Sequence, residues 1–170
     1  MSAVVASHAA DYLVPDLLAP GLKLVFCGTA PSRASAAAKA YYAKPGNKFW
    51  PSLYAVGITP RLFSPQEYAA LLGLGIGLTD LCKVHSGVDD ELPNDAFDPE
   101  AFERKMKYYR PRLIAFTSKN AAHIFLRSKV AYGLQADSLG ESRLFVLPSP
   151  SGLATRFFDI EFWRALAREM

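Results

Sequence analysis

Three short segments carry side chains suited to chemistry. The first reads Leu147-Pro148-Ser149-Pro150-Ser151-Gly152-Leu153-Ala154-Thr155. Its two prolines fix an extended backbone, and Pro150 removes a donor. Ser149 and Ser151 place hydroxyls on either side of Pro150, Gly152 permits close backbone approach, and Leu153 is an apolar tip on a polar loop. A rigid loop of this kind suits contacts to phosphate oxygens, and an exposed leucine suits insertion between stacked bases. The plain alternative is a packed turn with Leu153 in the core. The second segment, Gly28-Thr29-Ala30-Pro31-Ser32, is a turn directly after the apolar run Lys23–Cys27. The third, Gly75–Leu81, carries Asp80 next to its end, a carboxylate able to order a water, or equally a loop cap or half of an ion pair. Asn47 stands before a helical stretch, where it reads as an N-cap or as a polar group free for ligand. His85, in the loop after Asp80, is a more distant candidate and reads first as an ordinary loop histidine.

The surrounding pattern says which elements hold these segments. Lys23–Cys27, Gly75–Leu81, Leu113–Thr117 and Arg143–Leu147 read as buried strands. Helices are expected over 33–40, 48–56, from Ser64 to about Leu72, and over 99–109, 120–127 and 157–169. Ser64-Pro65-Gln66-Glu67 is a capping-box start. Residues 1–18 read as a short helix or an irregular lead-in, and 82–98 as a long loop. Apolar strands alternating with helices predict an α/β fold: a three-layer sandwich with a central four-stranded parallel sheet flanked by helices, one domain over 1–170. Ligands in such sheets bind outside the carboxyl ends of the strands. The loops Gly28–Ser32, Thr79–Lys83 and Pro148–Thr155 are therefore expected to converge.

Composition bounds the function classes. The chain has 170 residues, 51% hydrophobic and 21% charged, with a net charge of +3. That length can bury a core without staples, and the balance excludes a basic arm or an acidic disordered segment. No apolar run approaches the ~20 residues of a membrane span, and the first residues lack the basic start of a secretory signal, so a cytoplasmic location is expected. Cys27 and Cys82 have no metal or redox spacing and read as reduced, buried thiols. The charge is segregated. No acid lies between Asp16 and Glu67, while Lys23, Arg33, Lys39, Lys44, Lys48 and Arg61 do. That stretch is a candidate phosphate-facing surface. Seven acids crowd into 89–103, followed by the basic cluster 104–112, and both read as solvated faces of a loop and helix.

Taken together, the segments resemble a known family. The 147–155 loop resembles the second signature motif of the uracil-DNA glycosylase superfamily, closest to the Asn-Pro-Ser-Gly-Leu-Ser form of its mismatch-specific branch. Leu24–Ser32 is similar to that branch's strand followed by Gly-Ile-Asn-Pro-Gly. Tyr41–Trp50 (YYAKPGNKFW) resembles the Tyr-Tyr-Ala-His-Pro-x-Asn-x-Phe-Trp segment of the hypoxanthine-directed branch, and Pro93–Phe97 echoes that branch's Pro-Asn-Asp-Phe element. Gly75–Leu81 is similar to the next strand and loop. The matches fall in family order and span roughly residues 18–158.

The resemblance implies hydrolysis of the N-glycosidic bond of uracil, or of hypoxanthine or other deaminated bases, flipped out of DNA, leaving an abasic site. It implies no metal, no cofactor, DNA as partner, and a monomer. By that likeness Gly28, Thr29, Ala30, Pro31 and Ser32 line the base edge, Tyr42 stacks on the base, and Ser149 bonds a base carbonyl. Ser151 and Gly152 hold a phosphate, Leu153 fills the vacated stack, and Ala154, Thr155 and Arg156 continue the DNA contact. Tyr42 reads alternatively as a core aromatic. One departure is chemical: Ala30 stands where the mismatch-specific branch has its water-positioning Asn, as in a broad-specificity branch with Gly-Leu-Ala-Pro-Ala. Asn47 and then Asp80 are the catalytic candidates in its place. The same departure motivates a second reading, a weak or inactive damage-binding module. A third, an unrelated α/β nucleotide hydrolase using the same crevice, lacks a P-loop or GxGxxG fingerprint.

Overall fold

The computed structural model describes residues 11–170. The expected lead-in over 1–18 thus lies largely outside the described residues; from Tyr12 to Leu18 it is irregular, with Leu17 bridging Leu78 in antiparallel sense.

Four strands are parallel and adjacent: β1 (Leu24–Gly28), β2 (Ile76–Asp80), β3 (Leu113–Phe116) and β5 (Ser142–Val146). A fifth, β4 (Gly133–Leu139), pairs antiparallel with β5, giving the order β2-β1-β3-β5-β4. The expected parallel sheet is present, and β4 is an addition to it. Its sequence GLQADSL is half exposed and carries Asp137, so it lacks the continuous apolar run of a strand covered on both faces. The turn Gly140-Glu141, with Gly140 at φ 58°, joins β4 to β5 as a tight hairpin.

Alternate strand residues face two cores. Leu24, Phe26, Ile76, Leu78, Leu113, Ala115 and Phe145 pack against α2 (Phe49–Ala55) and α5 (Ile160–Glu169). Val25, Cys27, Ile114, Phe116, Leu144 and Val146 pack against α3 (Pro99–Tyr109) and α4 (Lys119–Leu126). Both faces are dry, which is why the strands read as unbroken apolar runs. Phe49 is the hinge of the first core: its ring meets Phe26 edge-on at 5.0 Å and Trp163 at 5.8 Å. Cys27 and Cys82 are buried and unpaired.

Helix starts follow the caps. Ser32 opens α1 (Arg33–Ala38) by accepting from the Ser35 N–H, and Asp98 and Ser118 do the same for α3 and α4. The helix expected from residue 157 begins at Ile160 because Asp159 caps Glu161; residues 152–157 form a separate 3-10 turn. The segment after Ser64 is a 3-10 helix, Pro65–Leu74, in which Glu67 reaches back to the Ser64 N–H at 2.9 Å. No helix among the described residues is long and apolar enough to cross a membrane.

Candidate active site

A cavity of about 410 Å³ opens at the carboxyl ends of the strands. That is the size of a small-molecule site. It lies where the strand order reverses, β1 having β2 on one side and β3 on the other. Gly28–Ser32, Asp80 and Ser149–Ser151 all line it, so the three expected loops do converge. Thr117 and Ser118, after β3, supply a fourth wall that the sequence reading did not single out.

The floor is built around a missing side chain. A Cβ on Gly28 would lie 2.7 Å from Asp80 Oδ1, 3.3 Å from Tyr42 Oη and 3.4 Å from Thr117 Oγ1. Asp80 is Gly28's register partner on β2 and is only 5% exposed. Burial pushes its carboxyl up to about 6; Lys83 opposes that rise, Asp16 adds to it, and a hydrogen bond from the Gly28 backbone opposes it. A carboxylate so placed changes protonation near neutrality, as a proton acceptor for water must.

Tyr42 forms one wall. Its backbone is left-handed, φ 53°, a conformation that costs a non-glycine residue on the order of 1 kcal/mol or more. Two contacts hold it there: its ring stacks on Phe49 at 3.9 Å and 15°, and its hydroxyl hydrogen-bonds Thr117 Oγ1 at 3.1 Å. Burial, reinforced by the Asp80 charge, pushes the phenol well up, so it is neutral. The core and cavity readings of Tyr42 therefore coexist, because the ring touches the core through Phe49 and also lines the cavity.

Asn47 also lines the cavity, but half of its amide is committed: Oδ1 accepts from the Phe49 N–H at 2.9 Å. The N-cap of α2 is Lys48, one residue later than expected, so this is a local turn bond just ahead of the helix, and it leaves the NH₂ as the group available to a ligand. Ser149 is similar. Its oxygen accepts from the Ser151 N–H at 3.2 Å, which leaves its hydroxyl proton to donate. Ala30 faces the cavity with a methyl group alone.

The last loop is fastened from both sides. Trp163 Nε1 donates to the Pro148 carbonyl at 3.2 Å, and the Lys48 N–H donates to the Pro150 carbonyl at 2.8 Å. Ser151 Oγ accepts from the Leu153 N–H at 3.2 Å. Leu153 is 68% exposed, so the packed-turn alternative does not hold. Leu153 and Ala154 reach the cavity, whereas Gly152, Thr155 and Arg156 lie outside its lining. Thr155 Oγ1 instead accepts from Lys48 Nζ at 3.0 Å.

Three charge expectations need correction. Asp89 and Asp90 line the cavity: Asp89 accepts from Thr29 Oγ1 at 2.7 Å and from Asn120 Nδ2 at 2.6 Å. The 87–91 turn is thus pinned onto the site rim, because its carboxylates find donors there. Arg33 and Arg61 pair with Glu91 and Glu67, so acids from outside the acid-free stretch offset two of its cations. Lys105, placed by the sequence on a solvated face, turns inward onto Asp16 at 2.6 Å. His85 is exposed and does not line the cavity. Among the described residues no cluster of His, Cys, Asp and Glu could hold a metal ion.

A mostly parallel sheet with an aromatic-walled pocket at its switch point defines an α/β protein with a site of small-molecule size. Residues 15–167 match the family model of the Uracil DNA glycosylase superfamily, and the chain belongs to that superfamily. In fold it is similar to a solution NMR structure of a Methanosarcina acetivorans protein described as a candidate uracil DNA glycosylase. The TM-score is 0.64 at 24% identity, covering 92% of this chain and 94% of that one.

Proposed function

We propose that the protein hydrolyses the N-glycosidic bond of uracil, and of hypoxanthine or other deaminated bases that fit, in DNA, leaving an abasic site. Superfamily membership supports DNA glycosylase chemistry. The observation that carries the assignment here is the buried Asp80 carboxylate on the floor of an aromatic-walled cavity. In this reading the base leaves the stack, enters the cavity and lies on Tyr42, extending the Phe49–Tyr42 stack. Asp80 accepts a proton from the water that attacks the sugar carbon. Bond breaking leaves negative charge on the base, and the Asn47 NH₂ and Ser149 hydroxyl donate to it. Asn47 thus serves the leaving group, and Asp80 the water. Leu153 fills the gap in the duplex, and Lys44 and Lys48 neutralise phosphates.

The test is a panel of duplex and single-stranded oligonucleotides carrying uracil, thymine opposite guanine, hypoxanthine or xanthine, read as alkali-labile abasic product. Release of at least uracil is expected. A folded protein that releases no base from any of them overturns the reading. Ala30, which offers the cavity no polar side chain, favours a second reading: a module that binds uracil-DNA tightly and forms no abasic product.

A further inference from the structure

Beneath the cavity lies a cluster of charges that neither packing nor the steps above use. The Asp16 side chain is fully buried, and its two oxygens take Lys83 Nζ at 2.9 Å and Lys105 Nζ at 2.6 Å. Thr79 Oγ1 donates to the same carboxylate at 2.7 Å. The Lys83 side chain is 7% exposed, and its ammonium also donates to Tyr41 Oη at 2.9 Å. Tyr41 Oη donates a hydrogen bond to the Pro15 carbonyl at 3.0 Å, and the residue lines the cavity.

Burying such charges costs several kcal/mol per ion, and apolar replacements for buried ion pairs are often neutral or stabilising. Stability alone therefore does not account for the cluster. Its charge does not close by itself either, with two ammoniums against one carboxylate. Asp80 follows Thr79 in β2 and precedes Lys83 by three residues, so it is the second carboxylate whose charge would balance the other ammonium.

We propose that Lys83, anchored by its ion pair with Asp16, is a positioning residue for base release and acts with Lys105 to favour the ionised Asp80 carboxylate at the cavity floor. This rests on the proposed role of Asp80. The other groups bearing on Asp80 are neutral: the buried Cys27 thiol of β1 and the Tyr41 and Tyr42 phenols. Thr117 of β3 offers a hydroxyl, and Asp89 and Asp90 face the same cavity from the 87–91 turn. The nearby cations are Lys83 and Lys105, both of which favour the ionised form, while Asp16 disfavours it.

The two ends of one ion pair therefore push Asp80 in opposite directions, which separates an electrostatic role from a structural one. The experiment is the pH dependence of single-turnover base release for Lys83→Met, Asp16→Asn and Lys83→Arg, with thermal melts at each pH. Lys83→Met is expected to move the acidic limb to higher pH by about one unit or more, Asp16→Asn to lower pH, and Lys83→Arg to leave it near the parent. Limbs that stay put, or move the same way in both variants, overturn the proposal. A ¹³C NMR titration of the Asp80 carboxyl in parent and Lys105→Met protein gives the same answer without catalysis or the loss of the more buried lysine. An upward shift is expected there and no shift overturns the proposal. Absent base release with a shifted Asp80 titration overturns the glycosylase reading alone.

Discussion

Asp80 Oδ1 stands 2.7 Å from the point where a Gly28 Cβ would be. The two residues are partners across β1 and β2, so the sheet register itself brings a carboxylate over a backbone with no side chain. The absent Cβ makes the space in which Asp80, Tyr42 and Thr117 meet.

Gly28→Ala is expected to damage the site more than the fold. The methyl would displace the Asp80 carboxylate, because strand backbone on the other side has nowhere to go. Overpacking of this kind costs about 1–3 kcal/mol, and an ångström of misplacement costs on the order of 100-fold in rate. Chemical denaturation and single-turnover assays on the same preparation would measure both losses.

Asp80→Asn is expected to abolish base release and yet stabilise the protein at neutral pH. The folded carboxyl is raised from 3.8 to about 6, so the native state binds a proton more tightly than the unfolded chain. The stability this supplies is complete below about pH 4 and is lost as pH rises through about 6. A shift of that size corresponds to roughly 3 kcal/mol. Melting curves of parent and variant should coincide in acid and separate above pH 6, with the variant the more stable.

Asn47 gives its amide oxygen to the Phe49 N–H and lines the cavity. Asn47→Ala loses that hydrogen bond, at about 1 kcal/mol of stability, together with the NH₂ donor. Asn47→Asp keeps an acceptor for the Phe49 N–H and loses the donor. The aspartate variant should retain the parental melting temperature and still release base slowly. Parental rates in that variant would reduce Asn47 to its local bond with the Phe49 N–H.

Leu153→Ala should leave stability within about 0.5 kcal/mol, since the side chain is 68% exposed. Turnover of duplex substrate should fall on the order of tenfold, with a smaller loss on single strands, where there is no stack to refill.

Binding to duplex DNA should weaken steeply with salt, and Lys44→Ala should reduce the slope of log affinity against log salt by about one. Fluorescence anisotropy across a salt series measures it. Lys23→Ala, at the opposite end of β1 from the cavity, should leave the slope unchanged.

The sequence alone determined what is local. Strands dry on both faces show as unbroken apolar runs, so Leu24–Gly28 and Leu113–Phe116 were readable, and with them the strand ends where a site must lie. The loop at Pro148–Thr155 and the stretch Tyr41–Trp50 carry their residue types in order, which sufficed for the superfamily. Tertiary structure decided the rest, because it depends on groups far apart in the chain. Strand β4 shows no apolar run, since only its pairing with β5 defines it. Thr117 matters because Tyr42, 75 residues earlier, reaches its hydroxyl. The Asn47 oxygen is engaged because the Phe49 N–H, in the first turn of α2, reaches it. Lys105 looks like one more helix-surface lysine until Asp16, 89 residues away, is folded beneath it. No local pattern encodes a buried carboxylate's choice of partner; only the packing that removes water from it makes that choice.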